Sequence, residues 1–112
     1  MQKYEVYISG FAENDLKEIV VYYYEKNQKF ALNLYAKIKT KIFSLESFPE
    51  KGKIVPELEK QGIIKFRQIT EGNFRIIYSI KENNIYIHII IDSRRNLEEI
   101  LLLKLTEISE IE

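Results

Sequence analysis

Residues 65–95 decide the fold and read KFRQITEGNFRIIYSIKENNIYIHIIIDSRR. Isoleucine, tyrosine and phenylalanine are dense in three short runs, which are separated by EGN at 71–73 and ENN at 82–84. Short runs of strand-forming residues bounded by Gly and Asn are typical of β-hairpins. The stretch therefore predicts three consecutive antiparallel strands, that is, a β-meander.

The third run, residues 85–91, is apolar on both of its faces. Alternation with a period of two places four isoleucines on one face: Ile85, Ile87, Ile89 and Ile91. The other face then carries Tyr86, His88, Ile90 and Asp92. A strand that is apolar on both faces is usually central in its sheet. We therefore expect the single histidine to be packed in the core rather than catalytic.

Upstream, the chain alternates as a first strand over residues 4–8, and Ser9 is placed to cap a following helix. Apolar residues then recur at helical spacing over residues 12–23 and again over 31–45. Asn27 and Gln28 separate these two stripes. Two long amphipathic helices with almost no linker predict an antiparallel helical hairpin.

The region between this hairpin and the meander, residues 48–62, holds both prolines and predicts a surface loop with a helical turn near 57–60. After the meander, residues 97–112 fit a C-terminal helical tail, and Asn96 is placed to cap it. We predict an α+β fold with an N-terminal strand, an antiparallel helical hairpin, a three-stranded antiparallel meander forming one small sheet, and a C-terminal helix.

The chain has 112 residues, 46% of them apolar and 30% charged, which predicts a single domain spanning 1–112. It contains no cysteine, and charges throughout residues 1–20 exclude a signal-peptide core or a membrane span there. These features predict a cytoplasmic protein with no membrane partner. One histidine, no cysteine and no Gly-rich phosphate loop predict no metal and no cofactor.

The net charge of zero hides a local excess of cations. Residues 51–95 hold nine basic side chains against five acidic ones, whereas the tail from residue 96 is acidic. A basic surface on a neutral chain indicates a local anionic partner. The alternative is that these charges are simply solvated around a small sheet.

Several short patterns, taken in order, resemble the RelE/ParE toxin superfamily of bacterial type II toxin–antitoxin modules. The matching pieces are Ala12, Asp15-Leu16, Glu18-Ile19 and Tyr22-Tyr23; Phe48-Pro49, Gly52 and Val55-Pro56-Glu57-Leu58; Phe66-Arg67 and Asn73-Phe74-Arg75-Ile76-Ile77-Tyr78; and Ile89 with Asp92-Ser93-Arg94-Arg95-Asn96. The resemblance extends to about Leu103. No single piece is specific, but their conjunction in this order is.

The resemblance implies a toxin that a cognate antitoxin protein wraps and blocks. Two mechanisms occur on this fold, so the fold alone does not determine the function. ParE-like members inhibit DNA gyrase by binding, whereas RelE-like members act as ribosome-dependent, metal-independent mRNA endonucleases. The loop and the DSRRN ending look more similar to the ParE side, which we favour. A third possibility is an inactive homologue that only binds an antitoxin.

If the nuclease alternative holds, the resemblance assigns phosphate-binding cations to the sheet: Lys65, Arg67, Arg75, Arg94 and Arg95. Arg75 matches the arginine that braces the phosphate in nuclease members; otherwise it would form a salt bridge with a residue such as Glu71 or Asp92. Some nucleases also use a histidine or tyrosine after the last strand, and residues 97–112 contain neither.

If the protein acts by binding, the same arginines (Arg67, Arg75, Arg94 and Arg95) are candidate contacts with a partner. Tyr22, Tyr23 and Tyr24 point to three different faces of the first helix, so at least one ring is expected to be exposed. Exposed aromatic side chains often mark protein interfaces. Tyr22 and Tyr24 are therefore further candidate binding residues, while Tyr23 and Tyr78 are expected in the core.

Overall fold

The computed structural model describes residues 3–95, 98–100 and 102–104. The elements are strand β1 (Glu5–Ile8), helices α1 (Gly10–Tyr24) and α2 (Gln28–Phe43), a 3-10 turn (Ser44–Glu46), strand β2 (Lys53–Ile54), helix α3 (Pro56–Glu59), and strands β3 (Phe66–Glu71), β4 (Phe74–Lys81) and β5 (Asn84–Asp92). Residues 98–100 and 102–104 are helical.

The strands form one five-stranded mixed sheet in the order β1-β5-β4-β3-β2. The predicted meander is present as β3-β4-β5, but the prediction of a three-stranded sheet was wrong. Strand β1 adds to one edge, parallel to β5, and β2 adds to the other, antiparallel to β3. Strand β2 has only two residues, too few for a periodic pattern, so it is defined by its pairing with β3 rather than by its sequence.

A β-bulge in β5 changes which side chains face which layer. Ile87 lies opposite Tyr78 and Ile89 lies opposite Ile77, so His88 has no partner on β4. An extra residue reverses the alternation beyond it. Consequently the four isoleucines do not share a face, as alternation had predicted. Ile85 and Ile87 pack towards the helices, whereas Ile89 and Ile91, which follow the bulge, pack on the opposite face of the sheet.

The helical hairpin covers one face of the sheet, as predicted. The Ser9 hydroxyl accepts a hydrogen bond from the Ala12 amide at 3.0 Å and begins α1. The Asn27 side chain accepts one from the Phe30 amide at 3.0 Å and begins α2. Because the Asn27 cap satisfies an otherwise unpaired amide at the start of α2, the chain can reverse within the three residues between the helices. The hairpin buries its apolar stripe against the sheet, where Tyr78 is fully buried, as predicted.

The opposite face carries a second, smaller core. Val55 and Leu58, from the segment at α3, pack there with Phe66 of β3. Ile100 and Leu102 pack against the same cluster from the C-terminal helical segment. The predicted tail is thus helical where it is described, and Asn96 and residues 105–112 lie outside the described residues. None of the described helices has the length and apolarity that crossing a membrane requires.

Candidate functional site

Arg75 is buried on the face of the sheet that α3 covers. Only 7% of it is exposed. Its Nη1 and Nη2 donate to the two carboxylate oxygens of Glu57 at 2.8 and 2.9 Å, and Nη2 also donates to the Gln68 side-chain oxygen. The partner is therefore Glu57 of α3, not Glu71 or Asp92. This fork-shaped pair neutralises the guanidinium inside the protein.

The carboxylate of this pair is held ionised by the arginine. The hydrogen bond from Arg75 lowers the pKa of Glu57, against the opposing effect of burial. A guanidinium fixed in this way has little freedom to bind a phosphate, because the phosphate would have to displace Glu57.

Arg67 lies on the opposite face of the sheet from Arg75. Arg67 of β3 lies opposite Tyr78 of β4, and Arg75 of β4 lies opposite Thr70 of β3. Thr70 is three positions after Arg67, and an odd separation along a strand places side chains on opposite faces. The Arg67 Nη1 donates to the carbonyl of Gly52 at 2.8 Å. The role of this arginine in the fold is to hold the loop before β2 against the sheet.

Lys65 precedes β3 and is exposed, with its ammonium 5.1 Å from the centroid of the Phe66 ring. The cations that the resemblance assigns to the sheet therefore do not share one surface: Arg67 and Arg75 occupy opposite faces, and Lys65 is outside the strand. Side chains alternate between the two faces of a strand, so the register of β3 and β4 places the two arginines on opposite faces of the sheet.

Arg94 and Arg95 follow β5 and line a cleft of about 630 Å³. The cleft lies between α1, the ends of β4 and β5, and the C-terminal helical segment. Tyr22 lines it as well, so the structure brings three predicted site residues together here. Tyr22 is 58% exposed; Tyr24 is also exposed but does not line the cleft.

Within the cleft, Arg94 is paired with Asp92. Its Nε and Nη2 donate to the two oxygens of Asp92 at 2.9 and 2.5 Å. These hydrogen bonds lower the pKa of Asp92 to about 2. The Asp92 carboxylate raises the pKa of Arg94, and the nearby Tyr23 hydroxyl raises it further by a smaller amount. Asp92 is therefore ionised at neutral pH.

The cleft opens beside an unpaired edge of β5. Strand β1 pairs with β5 only as far as Ile87, so beyond that point no described strand covers this edge. Asp15 of α1 occupies it instead: one oxygen accepts from the Ile90 amide at 3.0 Å and the other from the Lys104 ammonium at 3.2 Å. A buried carboxylate thus replaces strand pairing and ties the C-terminal segment to α1.

Apart from Glu18, the rest of the cleft wall is apolar and aromatic. It includes Ile19, Tyr23, Phe74, Ile100 and Leu103. Leu103 is largely exposed. An apolar floor with charged groups at its margin is the composition of a protein-binding groove.

His88 is buried, as predicted, and lies away from the cleft. Its Nε2 is 2.7 Å from the Ser79 hydroxyl, and its ring contacts the edge of Phe66 at 5.3 Å between centroids. The described residues also contain no group of three or more potential metal ligands.

Sequence reasoning did not identify Asp15, Glu57 or Lys104 as part of these arrangements. Of the three, only Asp15 could have been noticed in the sequence, because a carboxylate there interrupts the apolar stripe of α1. The structure shows that this residue is buried. Glu57 and Lys104 are separated from their partners by 18 and 89 positions. Only the tertiary fold brings such pairs together.

Comparisons with known proteins agree with this architecture. A chromosomal ParDE toxin–antitoxin system from P. aeruginosa has a chain that is 19% identical, with a TM-score of 0.67; the match covers 80% of this chain and 96% of that one. A chain of the toxin–antitoxin complex RelBE2 from Mycobacterium tuberculosis is 17% identical, with a TM-score of 0.59 and coverage of 80% and 98%.

At these identities the two structures establish a shared fold. No curated protein sequence matches the chain significantly. The family described as the ParE toxin of the type II toxin–antitoxin system parDE matches residues 6–97, which is most of the chain. The protein is therefore a member of the ParE toxin family of type II toxin–antitoxin systems.

Proposed function

We propose that this toxin inhibits DNA gyrase by binding to it, and that an antitoxin keeps it inactive by covering the cleft. The observation that carries the proposal is the buried pair of Arg75 and Glu57. RNA cleavage needs cations free to stabilise a crowded phosphate, together with an acid and a base. Here the arginine that corresponds to the phosphate-bracing cation of nuclease members is neutralised inside the fold.

The fixed partners of two carboxylates in the described part of the cleft support the same conclusion. Asp92 is ionised and bound to Arg94, and Asp15 is bound to Ile90 and Lys104. His88 is buried against Ser79. A mechanism that works by binding requires none of these groups to exchange a proton.

The cleft offers suitable chemistry for an antitoxin segment. Its apolar floor would accept the apolar face of a helix, and Arg95 would face an acidic side chain at its margin. Both similar structures belong to systems in which a toxin is paired with an antitoxin. A segment that folds as it binds would cover a large surface and still be removable by proteolysis.

A DNA cleavage assay tests the gyrase target. Purified toxin is mixed with gyrase, ATP and supercoiled plasmid, and linear DNA is measured after denaturation. We expect linear DNA to accumulate in proportion to toxin and to disappear when antitoxin is added. The double variant Tyr22→Ala/Arg95→Ala should lower this effect at least tenfold, while Lys81→Ala, at an exposed position of β4, should not.

The alternatives give different results in parallel assays. A ribosome-dependent nuclease would leave gyrase unaffected and would cut mRNA in a purified translation system, which would refute the proposal. An inactive homologue would affect neither target. Antitoxin binding is measured separately by pull-down with the product of the adjacent gene in about 1 M salt, where electrostatic contacts are screened. Complete loss of binding there would contradict docking in an apolar cleft.

A further inference from the structure

Four lysines converge on a surface outside the cleft that Arg94 and Arg95 line, between α2 and the β2–β3 edge of the sheet. Lys41 and Lys51 line two adjoining cavities of about 410 Å³ each. Lys37 lines one of these cavities and Lys53 lines the other. We call this surface the lysine groove, defined by Lys37, Lys41, Lys51 and Lys53.

The positive charge of the lysine groove is not balanced internally. Among the described residues, no carboxylate forms an ion pair with any of the four lysines, and Glu71 is the one acidic residue lining either cavity. Lys37 and Lys41 are four positions apart on α2, a spacing at which like charges destabilise a helix. Burial, and then the charge of Lys41, lower the pKa of Lys51. An anion in the groove would relieve this repulsion.

Neutral hydrogen-bonding groups complete the lining. Thr40 and Ser44 lie beside the lysines of one cavity, and Thr70 lies beside those of the other. Gln68 also lines the second cavity, but its side-chain oxygen accepts from Arg75. The Lys51 ammonium donates to the Ser44 hydroxyl at 2.5 Å, so its position is fixed by the end of α2. Ammonium and hydroxyl groups together are the donors that proteins use to bind phosphate oxygens.

We propose that the lysine groove binds the phosphate backbone of a nucleic acid, without regard to base sequence. Two adjoining cavities that share Lys41 and Lys51 form a continuous track, which suits a polyanion better than one small ion. The apolar lining is limited to Ala36 and Ile69, so there is no anchor for the side chains of an acidic peptide and no platform on which bases would stack.

This inference is independent of the gyrase proposal, because it uses other residues on another surface. The competing explanation is that lysines at an edge strand merely prevent pairing with a second sheet. Strand β2 is the edge of this sheet, so the explanation is physically reasonable. It predicts no measurable affinity of the groove for nucleic acid.

The test uses fluorescence anisotropy with a labelled 20-nucleotide single strand and a 20-base-pair duplex, from about 50 to 200 mM salt. The variant is Lys41→Gln/Lys51→Gln/Lys53→Gln. Each phosphate contact contributes about 0.7 to 0.9 to the slope of log affinity against log salt. The affinity of the wild type should fall as salt is raised over this range. If the variant lacks three contacts, its affinity should fall about 20- to 40-fold less than that of the wild type.

The matched control, Lys3→Gln/Lys29→Gln/Lys81→Gln, removes the same charge from exposed positions elsewhere and should keep the wild-type slope. Lys41→Arg/Lys51→Arg/Lys53→Arg should restore it and shows that the fold tolerates changes at these positions. Equal slopes for the glutamine variant and the wild type would overturn the proposal, as would absence of binding by the wild type. Competition by poly-glutamate at equal charge concentration would also overturn it, by indicating an acidic protein partner.

Discussion

Replacing Glu57 by glutamine tests whether the buried pair with Arg75 matters to the fold. Removing one partner of a buried ion pair costs about 3–5 kcal/mol, because the remaining charge is left in a poorly solvated site. A quarter of the Glu57 side chain is exposed, and glutamine retains an oxygen that accepts a hydrogen bond. We therefore expect a loss of about 2–3 kcal/mol at pH 7. That is a large share of the stability of a domain this size, about 5–15 kcal/mol.

Urea denaturation followed by circular dichroism measures this loss, with Glu59→Gln as the matched control. Glu59 lies on the same short helix but is exposed, so its variant should change the free energy of unfolding by less than about 0.5 kcal/mol. The double variant Glu57→Leu/Arg75→Met should recover much of the loss, because replacing a whole buried pair by apolar side chains is often neutral. A single variant as stable as the control would refute the reasoning.

The effect of Glu57→Gln also depends on pH in a known direction. Because the pKa of Glu57 is lowered in the folded state from its ordinary value of 4.5, the pair stabilises the protein above that value. This contribution is lost as the pH falls through the folded-state pKa. The difference in stability between wild type and variant should therefore be full at pH 7 and should shrink under acid conditions. A difference that grows on acidification would contradict this assignment.

Two further predictions concern the loop at Gly52 and the pair at the end of β5. A Cβ at Gly52 would lie 2.5 Å from the Tyr78 hydroxyl, so Gly52→Ala should destabilise the fold by about 1–3 kcal/mol in urea denaturation, whereas Gly10→Ala, with nothing within 4 Å, should not destabilise it. An equal effect of both changes would argue against this close approach. Carboxyl NMR titration should find the pKa of Asp92 at about 2, rising towards its ordinary value of 3.8 in Arg94→Gln; a normal value in the wild type would contradict the ion pair.

The meander, the hairpin and its caps could be predicted because their signals are local. Ser9 and Asn27 act on amides three positions away, and the apolar stripes of α1 and α2 depend only on helical spacing. The bulge at His88 had no such signal. It is defined by how Ile87 and Ile89 pair with β4, which the sequence of β5 alone does not determine.

The candidate site divides in the same way. Tyr22 was identified from a local pattern and Arg94 and Arg95 from the family resemblance, and the fold brings them to one cleft. The pairing of Arg75 with Glu57 spans two elements whose relative placement follows from the packing of α3 on the sheet. From the sequence alone, lysines on the polar face of a helix are interpreted as solvated charges. The lysine groove forms only because β2 and its preceding loop pack beside α2.

The buried pair also separates the two mechanisms that occur on this fold. If the protein cut RNA, Glu57 would compete with the substrate phosphate for Arg75, so Glu57→Gln should increase cleavage per folded molecule even as it lowers stability. If the protein acts by binding gyrase, the same variant should show no mRNA cleavage and should lose activity only in proportion to unfolding. One substitution therefore raises the activity per folded molecule under the nuclease mechanism and leaves it unchanged under the gyrase mechanism. Measuring both activities against the folded fraction distinguishes a neutralised phosphate site from an arginine that supports the fold.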